Sequence, residues 1–350
     1  MISVIIPVYN ICKKKCQFLS AVRSIQLQST QDWELLLVND GSTDKTAQIL
    51  QSLQEKDSRI RIISKSNGGV ESARREGLHQ AQGEYILHMD QDDVYRVDAL
   101  QIMTEKMSQS QADVLIGNYA RFIFDYRLTF GEYHSESMST EKLIIREEFM
   151  NRYYKSFFGI NDLPVNIWNK LYRRSFIESV PEPPLTGQII EDLSYNMHVL
   201  PYAQKIYILP EVLYYYRWGG FTSRYDTTLV DTALVGYQFK MNEIKKYNLP
   251  ELIRSVSIEF LNYINSYFFS IVLYENVPTE TFCSRAEAIA LLPEMKEVEL
   301  YMRENEIQAL RFAHINYMLS HDWATLYSYE KQQIKNNRLR YLLKKILLRI

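Results

Sequence analysis

Cysteine is scarce in this 350-residue chain, with only Cys12, Cys16 and Cys283. An odd, sparse set builds no disulfide framework, and the Cys12–Cys16 spacing has no second Cys or His pair to complete a zinc tetrahedron. Free thiols in a reducing compartment are the expectation. Glycine and proline are also few, at 12 and 10, which excludes collagen-like and low-complexity classes. No run of about 18 uninterrupted apolar residues occurs. The nearest candidate, 255–274, carries Glu259, two asparagines and several serines and reads as a buried soluble helix. The opening MISVIIPVYN has no basic leader or small-residue cleavage site, so no signal peptide is expected. Excess charge is missing too. Forty Lys and Arg against 42 Asp and Glu give a net −2, which argues against a whole-surface nucleic-acid binder.

The charge is nonetheless uneven. From Lys331 to Ile350 there are seven basic residues and no acidic one, so a body of net −9 carries a basic tail. The tail alternates these charges with Leu339, Tyr341, Leu342, Leu343, Ile346, Leu347 and Leu348. Two readings stand: peripheral contact with an anionic leaflet, or a face packed on the body or on a second copy as a homo-oligomer.

The first hundred residues alternate two periodicities. Residues 3–8 (SVIIPV), 33–38 (WELLLV), 60–63 and 85–89 (YILHM) read as strands. The first is apolar on both faces, as in the middle of a parallel sheet. Helical spacing fills the gaps: Phe18, Leu19, Val22 and Ile25; then 44–53; then 70–81 after the turn Asn67-Gly68-Gly69. Strands separated by such helices imply βαβ units and an α/β fold. Ligands of such sheets bind beyond the carboxyl ends of the strands. There the chain places Pro7-Val8-Tyr9-Asn10, Asn39-Asp40-Gly41-Ser42 and Asp90-Gln91-Asp92-Asp93.

Three carboxylates in four residues repel one another unless a cation neutralises them, and hard oxygen ligands suit Mg²⁺ or Mn²⁺ on a diphosphate. An Asp-rich turn capping the next helix is the plain alternative. Asp40 reads either as an Asx-turn or as an acceptor for the imide N–H of a uracil. No glycine-rich dinucleotide fingerprint, P-loop, H-E-x-x-H or G-x-S-x-G is present.

SVIIPVYN, LLLVNDGSTDKT, SNGGVESARREGL, GEYILHMDQDDVY and IIEDLSYN stand in this order, and together they resemble the family 2 inverting glycosyltransferases. The resemblance is close over 1–105 and thinner to about 225. It implies a GT-A fold, a Rossmann-like, mostly parallel sheet flanked by helices, here followed by a helical C-terminal region. It implies a nucleotide-sugar-binding half at 1–105 and an acceptor-binding half at 106–225. Beyond them the resemblance is not evident, and helical periodicity suggests a helical domain at 226–350 with the basic amphipathic tail. By motif, Pro7 and Tyr9 would line a uridine pocket, Asp40 would bind uracil, and Asn67 and Gly68 would lie near the nucleotide. Arg74 would sit beside the acidic motif. Asp92, with Asp90 or Asp93, would hold the metal and the ribose–diphosphate, and Asp192 would be the general base, with Glu191 as its rival. Arg75 stands where the family often has Asn. Arg217, in YYYRWGG, would reach the diphosphate.

The implied activity is metal-dependent transfer, with Mn²⁺ or Mg²⁺, of a hexose or N-acetylhexosamine from a UDP-sugar. The acceptor would be a hydroxyl of a growing surface glycan, lipid-linked in many relatives, and the product a β-linkage. The expected location is the cytoplasm, with the inner membrane face as the site of any peripheral contact. Rival readings are a non-catalytic partner subunit and a nucleotidyltransferase. Intact Asp92 and Asp192 speak against the first, and the lack of a lysine-ended glycine loop after the first strand against the second. Beyond 226 the pattern is helical, with a long helix across 252–273 and others at 291–301 and 307–319.

Overall fold

The computed structural model describes residues 1–123, 129–160, 162–183, 190–218, 227–305 and 313–337. The chain divides into two compact units, Met1–Trp218 and Gly219–Ile350. The first unit begins with β1 (Ile2–Val8), α1 (Lys15–Gln26), β2 (Trp33–Asp40), α2 (Thr46–Gln54), β3 (Ile60–Lys65), α3 (Gly69–Gln80) and β4 (Tyr85–His88). These are the strands and helices that the alternation of periodicities predicts. β5 (Val94–Tyr95), α4 (Ala99–Ser110), β6 (Val114–Phe122), β7 (Thr129–Glu132), β8 (Lys142–Ile145) and the short turn α5 (Arg146–Glu148) follow. The unit closes with β9 (Lys170–Arg173), α6 (Arg174–Ser179), α7 (Glu191–Val199) and β10 (Lys205–Arg217).

All the strands share one sheet, ordered β3-β2-β1-β4-β9-β6-β10-β5, with β7 on β6 and β8 on β10. β1, β2, β3 and β4 pair in parallel. The sheet then turns mixed: β9 lies antiparallel between β4 and β6, while β10 runs parallel to β6 and antiparallel to β5. β2 is buried along its whole length, so both faces must be covered, and the continuous apolar run WELLLV is the sequence form of that demand. Its register against β1 pairs Val8 with Asn39, which brings the two polar strand ends to the same edge. α3 lies close on this sheet at Gly77, where a Cβ would stand 2.4 Å from a methyl carbon of Ile5.

The second unit is helical among its described residues: α8 (Leu229–Tyr247), α9 (Ile253–Ser270), α10 (Thr279–Ala290), α11 (Pro293–Glu304), α12 (Ala313–Leu319) and α13 (Trp323–Asn336). α9 buries Val256, Phe260, Leu261, Ile264 and Phe268, the stripe expected of an amphipathic helix. With its flanking turns, Pro250–Glu275, it is long and apolar enough to cross a membrane by length and composition alone, and 44% of its most apolar window is buried inside the protein. Lys331 and Lys335 belong to α13. The rest of the basic tail, 338–350, lies outside the described residues, as do 306–312, Gly219 and Gly220.

Candidate active site

At the end of β2, Asp40 is 4% exposed and ringed by donors. Its Oδ1 accepts from Lys65 Nζ at 2.8 Å and from the Gly68 N–H at 3.0 Å, and its Oδ2 from the Gly69 N–H at 2.8 Å. The carboxylate thus holds the first N–H groups of α3, which no earlier turn can satisfy. Asn67 closes the ring by donating Nδ2 to the Asp40 carbonyl at 2.9 Å. Gly41, at φ +69°, passes so close that a Cβ would stand 2.5 Å from the Asn67 nitrogen, so glycine is required there. From β1, Tyr9 is 46% exposed beside the half-buried Pro7. The Tyr9 N–H donates to Gln91 Oε1 at 3.1 Å, tying the end of β1 to the acidic loop after β4.

The three aspartates of that loop diverge. Asp93 is 1% exposed, and both its oxygens are engaged: the Tyr214 hydroxyl donates at 2.6 Å and the Arg217 N–H at 2.7 Å. Burial first, then Asp92 and Asp90, push its carboxyl well above the usual range. Asp92 is one-fifth exposed and accepts from Lys14 Nζ at 3.0 Å. Asp90 is one-third exposed and accepts from Arg74 at 2.9 Å. Its carboxyl is pushed up to about 6 by burial, with Asp192 and Asp92 adding to the rise and Arg74 opposing it. Arg217, expected at a diphosphate, here donates Nε to the Asp92 carbonyl at 2.8 Å and lies 4.4 Å over the Phe122 ring.

Arg74 joins the two acidic motifs. One guanidinium nitrogen meets Asp90 and the other meets Asp192, both at 2.9 Å, across 118 residues of sequence in the second case. Burial opposes the charge of Arg74, but Asp192, Asp90 and Glu191 outweigh it and hold the guanidinium firmly protonated. The second oxygen of Asp192 accepts the Ile167 N–H at 3.3 Å. Glu191, one residue earlier on α7, lines a cavity of about 60 Å³ with His88, Tyr195, Leu78 and Arg75. Burial, then Asp192, raise its carboxyl to about 7. In that cavity wall neither ring nitrogen of His88 has a hydrogen-bond partner, and burial, then Arg74, hold its imidazole neutral, down to about 3. Arg75 pairs with Glu182 at 2.7 Å.

The residues singled out by motif therefore form two neighbouring groups. Asp40, Asn67 and Gly68 make one, and Arg74, Asp90 and Asp192 make the other, with Asp92, Asp93 and Arg217 in the adjoining turn. Lys14 and Ile167 were not singled out, although Lys14 stands in the run of three lysines after Cys12. Lys170 and Tyr214 lie in the segments WNKLYR (168–173) and YYYRWGG, which resemble the family but assign neither residue a role. Among the described residues no three His, Cys, Asp or Glu side chains gather into a group that holds an ion by itself. A Mg²⁺- or Mn²⁺-type ion usually takes one or two carboxylates and completes its shell with ligand phosphates and water. The solvent-facing carboxylates of Asp92 and Asp90 fit that demand, whereas Asp93 is turned inward.

Comparison with known proteins follows the same outline. The family model described as "Glycosyl transferase family 2" matches residues 3–180. The chain is 31% identical over 223 residues to the glycosyltransferase GlyA of Streptococcus pneumoniae serotype 4, an alignment covering 62% of this chain and 30% of GlyA. It is 29% identical over 222 residues to the uncharacterized glycosyltransferase EpsJ of Bacillus subtilis strain 168, covering 62% and 61%. The chain thus spans less than two thirds of the length of either relative. Among solved structures, residues 1–349 of S. aureus TarS in complex with UDP-GlcNAc superpose with a TM-score of 0.59 at 21% identity, over 96% of this chain and 92% of that one. At that identity the likeness is one of fold, a GT-A-like mixed sheet flanked by helices.

Proposed function

The chain belongs to glycosyl transferase family 2, and on that premise we propose that it is a metal-dependent inverting glycosyltransferase. It moves a hexose or N-acetylhexosamine from a UDP-sugar to a hydroxyl of a growing cell-surface glycan and forms a β-linkage. The observation that carries this reading is the double ion pair of Arg74 with Asp90 and Asp192. It unites a donor-side acidic motif with a carboxylate suited to proton abstraction. The crystallised complex of TarS with UDP-GlcNAc recommends uracil as the nucleobase and UDP-GlcNAc as the first donor to try.

In this reading the acceptor hydroxyl attacks the anomeric carbon in line. Its oxygen forms the new bond as the bond to UDP breaks, and UDP leaves with the electron pair. Asp192 accepts the hydroxyl proton. Its two oxygens are oriented by Arg74 and the Ile167 N–H, and an ionised carboxylate keeps further lone pairs after two such bonds. Glu191 faces the cavity beside His88, which supports Asp192 over its neighbour as the base. Asp92 and Asp90 would hold the divalent ion, which when bound offsets negative charge on the departing diphosphate. Asp40, fixed by the Gly68 and Gly69 N–H groups and Lys65, would be the carboxylate that meets the uracil.

A donor screen tests the proposal. Hydrolysis and thermal protection are measured with UDP-Glc, UDP-Gal and UDP-GlcNAc, with Mn²⁺ and with chelator. Asp92→Ala is expected to abolish transfer and weaken UDP binding while the protein remains folded. Full activity in chelator would remove the metal, and protection by no uridine nucleotide would remove the donor.

A further inference from the structure

Residues 164–169 form neither helix nor strand, yet all six of their carbonyls are engaged. The Lys170 ammonium donates to Pro164 O at 2.8 Å and also to Asn166 O. Asn196 Nδ2 donates to Val165 O at 2.7 Å, and the Lys170 N–H to Ile167 O at 3.3 Å. The Tyr95 hydroxyl donates to Trp168 O, and the Gly117 N–H to Asn169 O at 2.8 Å. A loop so fully bonded is a built part, because irregular backbone ordinarily leaves such groups to water.

Lys170 is the hub of this part. It is fully buried, which is rare for lysine unless it is paired. Among the described residues no carboxylate is a hydrogen-bond or ion-pair partner of its ammonium. Instead its third proton goes to Asn169 Oδ1 at 3.1 Å. Burial pulls the ammonium down to about 7, with Asp192 opposing the fall. Three acceptors match the three N–H bonds of an ammonium, whereas a neutral amine has two, so the cage holds the charged form below that pH, where the acid limb of a carboxylate base lies. What the loop presents is the Ile167 N–H, at 3.3 Å from Asp192 Oδ2. Its Trp168 ring stacks on Tyr214 at 4.3 Å, and the Tyr214 hydroxyl holds Asp93. One loop thus touches both acidic motifs.

We infer that Lys170 is a positioning residue for the general base. It does not touch substrate. It fixes the loop so that the Ile167 N–H orients Asp192, and it adds positive charge beneath that carboxylate, whose other charged neighbours are Arg74, Glu191 and Asp90. The Tyr172 phenol, raised well above its usual range by burial and then by Tyr195 and Asp192, lies in the same field. The inference rests on the reading of Asp192 as the base.

The test uses the full-length protein, the best donor from the screen, and Lys170→Met beside Asp192→Asn and their double variant. Lys170→Met is expected to lower kcat about 10- to 100-fold, to leave the Kd for UDP within about twofold, and to move the acid limb of the rate profile to higher pH. In the double variant the two losses should not multiply, because both act on one carboxylate. A folded Lys170→Met with the original kcat and acid limb overturns the inference while the base reading stands, and so do losses that multiply. An Asp192→Asn protein with a near-normal rate overturns the base reading and the inference with it. Should Lys170→Met fail to fold, Lys170→Gln keeps two N–H donors and drops the charge. A lower kcat with a shifted acid limb then supports the inference, and an unchanged profile overturns it.

Discussion

Two groups of carboxylates stand at one sheet edge and are held in opposite ways. Asp40 is surrounded by donors that arrive from a single turn, Lys65 to Gly69, so its charge is met before any ligand appears. Five carboxylates, Asp90, Asp92, Asp93, Glu191 and Asp192, crowd the second group, where among the described residues Arg74 and Lys14 are the cations in direct ionic contact. Asp90, Asp93 and Glu191 are all raised by burial and by neighbouring carboxylates. The first group is complete as a structure. The second is short of positive charge, which is the condition of a site that a charged ligand or ion completes.

The contrast is broken hardest at Asp192. Asp192→Asn keeps the shape and loses the proton acceptor, so turnover should fall about 10²–10⁴-fold with UDP affinity nearly unchanged. Single-turnover kinetics beside UDP calorimetry would separate the two, and an equal loss in both would make Asp192 a binding residue.

Asp40→Asn attacks the complete group. It puts an amide donor where Lys65 and two glycine N–H groups already donate, at a cost of about 1–3 kcal/mol. The thermal midpoint should fall by about 2–4 °C per kcal/mol, with weaker UDP binding. An unchanged midpoint would mean that the ring of donors contributes little to the fold.

The smallest effect is on pH. Asp90 near 6 and Glu191 near 7 lie above their ordinary values of 3.8 and 4.5. Between roughly pH 4 and 7 the folded protein therefore binds more protons than the unfolded chain, so stability from these groups falls as pH rises and levels off above 7. Asp44 and Asp57, both held down near 2, act in the opposite sense and only below about pH 4. His88, held neutral down to about 3, pulls the other way over the same range, so the test is the difference between proteins. From pH 4.5 to 7.5 the thermal midpoint should fall more steeply, or rise less, than in Glu191→Gln. An identical slope in that variant would remove the crowding at Glu191 from the account.

The same contrast separates what was legible in the sequence from what was not. β1, β2, β3 and β4 follow one another through short helices, and their apolar runs and Asx-Gly turns are local signals. So is every residue of the Asp40 ring except Lys65. β9 is four residues beginning with a lysine, and it is a strand only because β4 and β6 flank it. Lys14 meets Asp92 across 78 residues, and nothing local distinguishes it from Lys13 or Lys15. Tyr214 is one of 26 tyrosines. Lys170 stands in a segment that resembles the family, but its three carbonyl and amide acceptors come together only in the folded loop. The motif resemblance supplied Arg74 and Asp192 as separate residues, and only the tertiary structure shows that they touch.

The order of strands also sets a timetable for synthesis. β4 is covered on one side by β1, already made, and on the other by β9, so its bare edge persists until residue 173 has emerged. The acidic turn waits longer, since Arg217 reaches back 125 residues to Asp92. At about 5–20 residues per second that is an interval of roughly 6–25 s. For the earlier part of it, until β9 emerges, three aspartates lie beside an open strand edge, and their like charge disfavours pairing with a neighbouring chain.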